Sequence, residues 1–202
     1  MATDLMVDLE TLSSERNAVI VSIGAVAFDV AGNSSVAELI SAGLHIRVEM
    51  ASQRSRHIDP DTVAWWIGMS KEAQEEVIAG NRVQLHEALH HLRSFVKSAA
   101  PYGDLRVWSH GSDFDMPILY LALREDAIEF PAQKAQDSKY PWPRNMVRDT
   151  RTVFWLVREF HGLSAERACW PINPIPHNPM SDAATQAVAV QSAYRVLRRK
   201  ID

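Results

Sequence analysis

Apolar and polar positions alternate along Leu5-Met-Val-Asp-Leu-Glu10, with Leu5, Val7 and Leu9 set against Met6, Asp8 and Glu10. A period of two predicts a β-strand. Val19–Asp29 predicts a second strand and, beyond the Ala31-Gly-Asn33 turn signal, Leu44–Val48 predicts a third. Asp59-Pro60 supplies an N-cap and a first-turn proline for a short helix through Trp65 and Trp66, and Ser70 caps another over Lys71–Ala79. The period then changes. Leu85, Leu89, Leu92 and Val96 form one apolar stripe of an amphipathic helix spanning Val83–Ser98. Leu105–Ser109 reads as a strand, Asp113–Glu125 as a helix, Tyr140–Pro143 as a loop and Asp149–Phe160 as a helix. The prolines of Trp170-Pro-Ile-Asn-Pro-Ile-Pro176 exclude regular structure, and a last helix runs from Ser181 to about Arg199. Strands first, then alternating helices and strands, predict one α/β domain over residues 1–202. Its mixed central sheet is flanked by helices.

Composition narrows the picture only in places. A chain of 202 residues, 47% hydrophobic and 23% charged, is ordinary for one globular domain with a good core. The net charge of −4 does not advertise a polyanion partner in bulk. Locally the balance differs: Lys139, Arg144, Arg148, Arg151 and Arg158 face Asp149 alone, a net of +4 across that stretch. Arg195, Arg198, Arg199 and Lys200 make the tail basic as well. Such segments hold a polyanion locally or serve as solvated and helix C-terminal charge. Cys169 is the only cysteine, which excludes an internal disulfide and a thiolate metal cluster. Asp4, Asp8 and Glu10 stand where a signal peptide would be basic and then apolar. The longest apolar stretch, Ala18–Phe28, is too short to cross a bilayer. A cytoplasmic setting without a membrane partner is expected.

The chemistry begins with Asp8 and Glu10. Alternate strand residues share a face, so both carboxylates project together from one side of a sheet. Their repulsion and desolvation cost free energy unless a cation neutralises them, and oxygen-only ligands suit Mg²⁺ or Mn²⁺. Asp113 and Asp115 follow the strand ending near Ser109, where α/β proteins place their sites. Two helical steps apart, they point to nearly opposite sides. Asp113 is read as an N-cap, leaving Asp115 to face a metal. Farther on, His177 lies in a proline-rich lead-in five positions before Asp182, which begins the last helix. Four acids from three separated segments, plus a titratable imidazole, make one candidate set.

This set resembles the DEDDh 3′-to-5′ exonucleases of the ribonuclease H-like superfamily. Asp8 and Glu10 match their first motif, Asp-x-Glu on strand one; Phe114-Asp115 matches the second; His177 and Asp182 match the third, His-x4-Asp. Asn178 stands where the sister subgroup carries tyrosine. Trp65-Trp66, Gly111–Leu119 and Arg148-Asp-Thr-Arg-Thr152 look particularly like small phage-type exodeoxyribonucleases and related bacterial exoribonucleases, over nearly the whole chain. The resemblance implies two Mg²⁺ or Mn²⁺ ions held roughly 4 Å apart by Asp8, Glu10, Asp115 and Asp182. It implies His177 as the base that deprotonates the attacking water. It also implies single-stranded or frayed 3′ ends as substrate, with DNA the first reading and RNA the second. Thr11 and Leu12 would touch the terminal nucleotide, Trp66 or Trp65 would stack on bases, and Arg148 and Arg151 would contact phosphate or form structural ion pairs. Oligomeric state is not legible.

Two other readings compete. A non-catalytic nucleic-acid-binding module could keep the fold, although binding alone does not need five such groups. His86-Glu-Ala-Leu-His90 fits the helical zinc signature of metalloproteases. The leucine stripe already explains that helix as core packing, and no third ligand stands at a recognisable spacing, so His86 and His90 are read as solvated or partly buried.

Overall fold

A computed structural model describes residues 4–99, 105–129 and 140–199. Lys139 and Lys200, counted among the basic residues above, lie outside the described residues. Five strands, β1 (Asp4–Thr11), β2 (Ile20–Phe28), β3 (Leu44–Arg47), β4 (Arg106–Ser109) and β5 (Val147–Asp149), form one sheet in the order β3-β2-β1-β4-β5. β1, β2 and β3 pair antiparallel, while β4 and β5 extend the sheet in parallel. The sheet is therefore mixed, as expected. The helices are α1 (Val36–Ala42), α2 (Pro60–Ile67), α3 (Lys71–Ile78), α4 (Leu85–Ala99), α5 (Ser112–Glu129), α6 (Thr150–His161), α7 (Leu163–Cys169) and α8 (Pro179–Leu197).

The alternation of β1 divides the core. Leu5, Val7 and Leu9 pack with Leu89 and Leu92 of α4 and Ile118 and Leu119 of α5. On the opposite face, Met6 and Trp108 meet Ala184, Ala187 and Val190 of α8 and Val153 and Val157 of α6. Asp8 and Glu10 share the Met6 face, so they look toward α8. With helices on both faces, every residue of β1 is buried except the partly exposed Asp8. Leu12, Val19, Val21, Trp66 and Ala73 form a smaller cluster where α2 and α3 close the end of the sheet.

Several elements differ from expectation. α1 is added, closed by a capping box in which Ser35 and Glu38 satisfy each other's backbone N–H. β5, between the stretches read as loop and helix, and α7, after that helix, are added as well. α8 begins at Pro179 rather than Ser181, because Asn178 is the N-cap and Pro179 takes the first helical position. Asp113 is not an N-cap: α5 starts at Ser112, whose N–H donates to the Asp149 carboxylate at 2.6 Å, and the Asp113 side chain is exposed in the first turn. Among the described residues, no helix is long and apolar enough to cross a membrane.

Candidate active site

β1 is longer than its parallel neighbour. Pairing with β4 ends at Met6–Trp108, and beyond it the N–H of Leu9 donates to the Asp115 carboxylate at 3.1 Å. Asp115 thus takes the place of a missing ladder acceptor, which fixes it beside Asp8 and Glu10. Gly111, at φ +92, makes the turn from β4 into α5 that aims it there.

The fourth acid arrives with α8. Gly24 lies opposite Asp8 in the antiparallel ladder, and a Cβ there would sit 2.1 Å from the carbonyl carbon of Pro179. Only glycine lets the first turn of α8 rest on the sheet at this point. Asp182, in that turn, comes within reach of Glu10 and His177: one potential ligand atom from each of the three lies within 4.8 Å of the others. One helical turn on, Gln186 donates to Asp8 through Nε2 at 2.8 Å, while its buried Oε1 has no partner.

His177 is held from three sides. Its backbone takes a left-handed φ of 61, uncommon for histidine. The Asp182 carboxylate accepts from the His177 backbone N–H and from the Asn173 amide. The ring meets Trp65 edge-on at a centroid distance of 5.0 Å. Next to it, Asn178 caps α8 through Oδ1 on the Ser181 N–H at 3.0 Å and donates through Nδ2 to Glu76 at 2.7 Å. Glu76, buried on α3, is itself held by His45 and Arg47. Its carboxyl stays at about 2: burial raises it, and those two partners and Asn178 outweigh burial.

The four site acids behave oppositely. Burial first, then the charges of Asp115, Glu10 and Asp182, push Asp8 well above the carboxylate range. Burial and the charges of Asp182, Glu76 and Asp115 do the same to Glu10. Burial raises Asp115 to about 7 against the Leu9 hydrogen bond and the Arg151 charge, and it raises Asp182 against His177 and Asn173. The hydrogen bonds these packed carboxylates accept come from amides and backbone N–H groups, and the nearby Arg151 and His177 do not offset their burial. Hard divalent cations fit that donor set, and the sole cysteine, Cys169, is buried in the α6–α8 core.

The expected substrate residues separate. Thr11 is buried, donates its hydroxyl to Ser13 and offers its carbonyl to the Trp66 indole at 2.9 Å. Leu12 lines an apolar cavity of about 330 Å³ with Met50, Val63, Trp66 and Val77. Trp66 is only 3% exposed, whereas its neighbour Trp65 is 43% exposed beside His177. The Arg148 guanidinium donates to the carbonyls of Asn145 and Val147 rather than pairing with an acid. Arg151 lies over Gly111 and reaches the exposed Asp113 at 3.5 Å, which leaves its guanidinium at the rim near Asp115. His86 pairs with Asp126 at 2.6 Å and His90 is exposed; the two are absent from the convergent ligand group, as the leucine stripe suggested.

Gln186, Asn178, Glu76 and Gly24 did not emerge from the sequence. Gln186 stands at i+4 from Asp182, Asn178-Pro179 is an N-cap signature, and Gly24 interrupts an apolar strand; each was a readable signal. Glu76 carried none, since its contact with Asn178 spans 102 positions.

Known proteins are similar to this chain in sequence or in fold. The exodeoxyribonuclease of Enterobacteria phage T4 is 25% identical over 207 residues, covering 95% of this chain and 89% of the relative. Exonuclease I of Methylocaldum szegediense shares the fold at a TM-score of 0.64 and 14% identity, over 98% of this chain and 42% of that one. The zinc-bound E. coli exonuclease I complex with single-stranded DNA does so at 0.66 and 15% identity, over 98% and 42%. This chain therefore spans about two-fifths of the length of those exonuclease I chains. The model of the 3′-5′ exoribonuclease Rv2179c-like domain matches residues 3–194, and the chain belongs to that family of 3′-5′ exonucleases.

Proposed function

We propose that residues 1–202 act as one exonuclease domain, hydrolysing phosphodiester bonds from single-stranded or frayed 3′ ends and releasing nucleoside monophosphates. The supporting observation is the convergence of Asp8, Glu10, Asp115 and Asp182, each raised above its ordinary pKa by burial, around one space at the end of β1. These four side chains would hold Mg²⁺ or Mn²⁺, two ions per site. Such ions supply an activated water and neutralise charge at the scissile phosphate when bound.

The remaining steps belong to the chain's own groups. An imidazole nitrogen of His177 takes the proton of the attacking water as its oxygen bonds to phosphorus; the bond to the 3′-oxygen breaks, that oxygen takes a proton from solvent to end as a hydroxyl, and His177 returns its own proton to solvent. Trp65 and Asn178, tied to Glu76, keep the ring oriented toward Glu10 and Asp182. Gln186 orients Asp8. Trp65 stacks on a base, Leu12 packs against the terminal nucleotide, and Arg151 meets phosphate at the rim.

DNA is the first substrate reading, on the likeness to the T4 exodeoxyribonuclease along nearly the whole of both chains. RNA is the second, favoured by the family's description as an exoribonuclease domain. Oligonucleotides of each kind, labelled at the 5′ end and incubated with Mg²⁺, Mn²⁺ or chelator, test both. A ladder shortening from the 3′ end, stopped by chelator and by a blocked 3′ terminus, is expected. Cleavage that ignores the 3′ block, or salt-dependent binding without turnover in either metal, would overturn the reading.

A further inference from the structure

We propose that a groove on the outer face of α5 is a second nucleic-acid binding site, holding the part of the substrate strand that lies 5′ of the terminal nucleotide. The groove encloses about 470 Å³ and is lined by Arg16, Pro117, Tyr120, Arg124, Tyr140 and Arg144, with no acid among its lining residues. It rests on the nuclease reading for the identity of the strand, and on its own chemistry for the binding.

Its position follows from α5. Asp115 in the first turn faces the acid cluster, whereas Pro117, Tyr120 and Arg124, at i, i+3 and i+7, share the outward side. Arg124 stands about 14 Å along the helix axis from Asp115, at 1.5 Å per residue. Arg16 enters from the loop that follows β1, a few residues past Glu10. A strand whose end is in the acid cluster can therefore leave along this face.

Its chemistry is that of a single-strand platform. The Arg144 guanidinium lies 5.1 Å from the centroid of Tyr120 and 4.7 Å from that of Tyr140, and donates to the Tyr140 hydroxyl at 2.7 Å. The two tyrosines meet edge-on at 4.7 Å, and the Trp142 indole anchors the Tyr120 hydroxyl at 3.1 Å. Planar groups are thus fixed at the surface at little entropic cost. Arg16 and Arg124 are exposed, and no ion pair to a carboxylate is seen for them or for Arg144 among the described residues. Three cations with no carboxylate partner among the described residues crowd one groove and repel each other, in a chain whose net charge is −4. A phosphate backbone relieves that repulsion, and aromatic faces accept any base.

Fluorescence anisotropy in chelator, so that nothing is cleaved, measures binding of labelled 15-nucleotide and 3-nucleotide oligodeoxythymidylates from 50 to 300 mM KCl. For the 15-mer, R16A/R124A/R144A should reduce the log–log salt slope by about 2 units, three phosphates at roughly 0.7 each. R16A/R124A leaves the tyrosine stack intact and should reduce it by about 1.4. R16K/R124K/R144K should keep the slope, and the 3-mer should bind all forms alike. Equal slopes for wild type and both alanine variants, no salt-dependent binding of the 15-mer by wild type, or equal losses for the 3-mer and 15-mer would each overturn the proposal. Because the readout needs no turnover, failure of the nuclease reading would leave this result standing, and the reverse.

Discussion

The two ends of β1 carry the same kind of residue on the same face and use it oppositely. Asp4 is fully buried, and Arg106 grips it with two hydrogen bonds of 2.7 Å. The Trp108 indole adds a third at 2.8 Å, and the Val30 N–H a fourth at 3.2 Å. Four residues along, Asp8 receives one neutral amide from Gln186, and Glu10 faces Asp182. A buried carboxylate matched by a guanidinium holds a fold together. Buried carboxylates matched only by one another hold a place for a cation. Both ends crowd acids beneath neighbouring elements, although Asp8 is partly exposed; compensation, more than burial, separates the structural end of the strand from the chemical one.

Removing one acid from each end breaks the comparison most sharply. Asp8→Asn or Asp115→Asn should abolish divalent-dependent hydrolysis in a ladder assay, while raising the melting temperature in chelator by relieving repulsion. Asp4→Asn should do the reverse, costing about 1–3 kcal/mol in a denaturant titration by weakening the charge-assisted hydrogen bonds to the part-exposed Arg106, with turnover of the folded protein nearly unchanged. His177→Ala should lower kcat by about 10²–10⁴ with divalent binding retained by calorimetry, the range for loss of a general base. Asn178→Ala removes an α8 cap worth about 1 kcal/mol and frees the His177 loop from Glu76. A fall in kcat by about tenfold with little change in KM would mark it as a positioning residue.

The pH dependence is the finest test. The folded-state pKa values of Asp8, Glu10, Asp115 and Asp182 lie above their unfolded values, so the metal-free folded state binds more protons. The stability this gives is full below about pH 4 and is lost as pH rises, for Asp115 through about 7. Melting temperatures in chelator should therefore fall between pH 5 and 7.5. Millimolar Mg²⁺ or Mn²⁺ should restore them at pH 7.5. Glu76 has the opposite sign, since its depressed pKa gives stability above about 4.5 that is lost as pH falls toward 2.

How much of this was readable depended on the range of the interaction. The Asp8–Glu10 alternation and the stripe of Leu85, Leu89, Leu92 and Val96 are local patterns, and the structure keeps both as strand and helix. α1 was equally local, but its Ser35-x-x-Glu38 box sits in a stretch with only a short apolar face. β5 has three residues, too few for any period to register. Which of two adjacent tryptophans is buried depends on how α2 lies on Leu12 and Val21, a tertiary fact. The Arg148 contacts are local, to carbonyls one and three positions back, but no side-chain pattern announces a bond to a backbone carbonyl. The Glu76–Asn178 bond and the seat of Gly24 beneath Pro179 exist only once α3, β2 and α8 have met.

The most direct measurement is the anomalous diffraction of a crystal soaked in Mn²⁺. Peaks bonded to carboxylate oxygens of Asp8, Glu10, Asp115 and Asp182, with none at Asp4, are the expected result. Millimolar Mn²⁺ that leaves those four side chains without a bound ion would contradict the account.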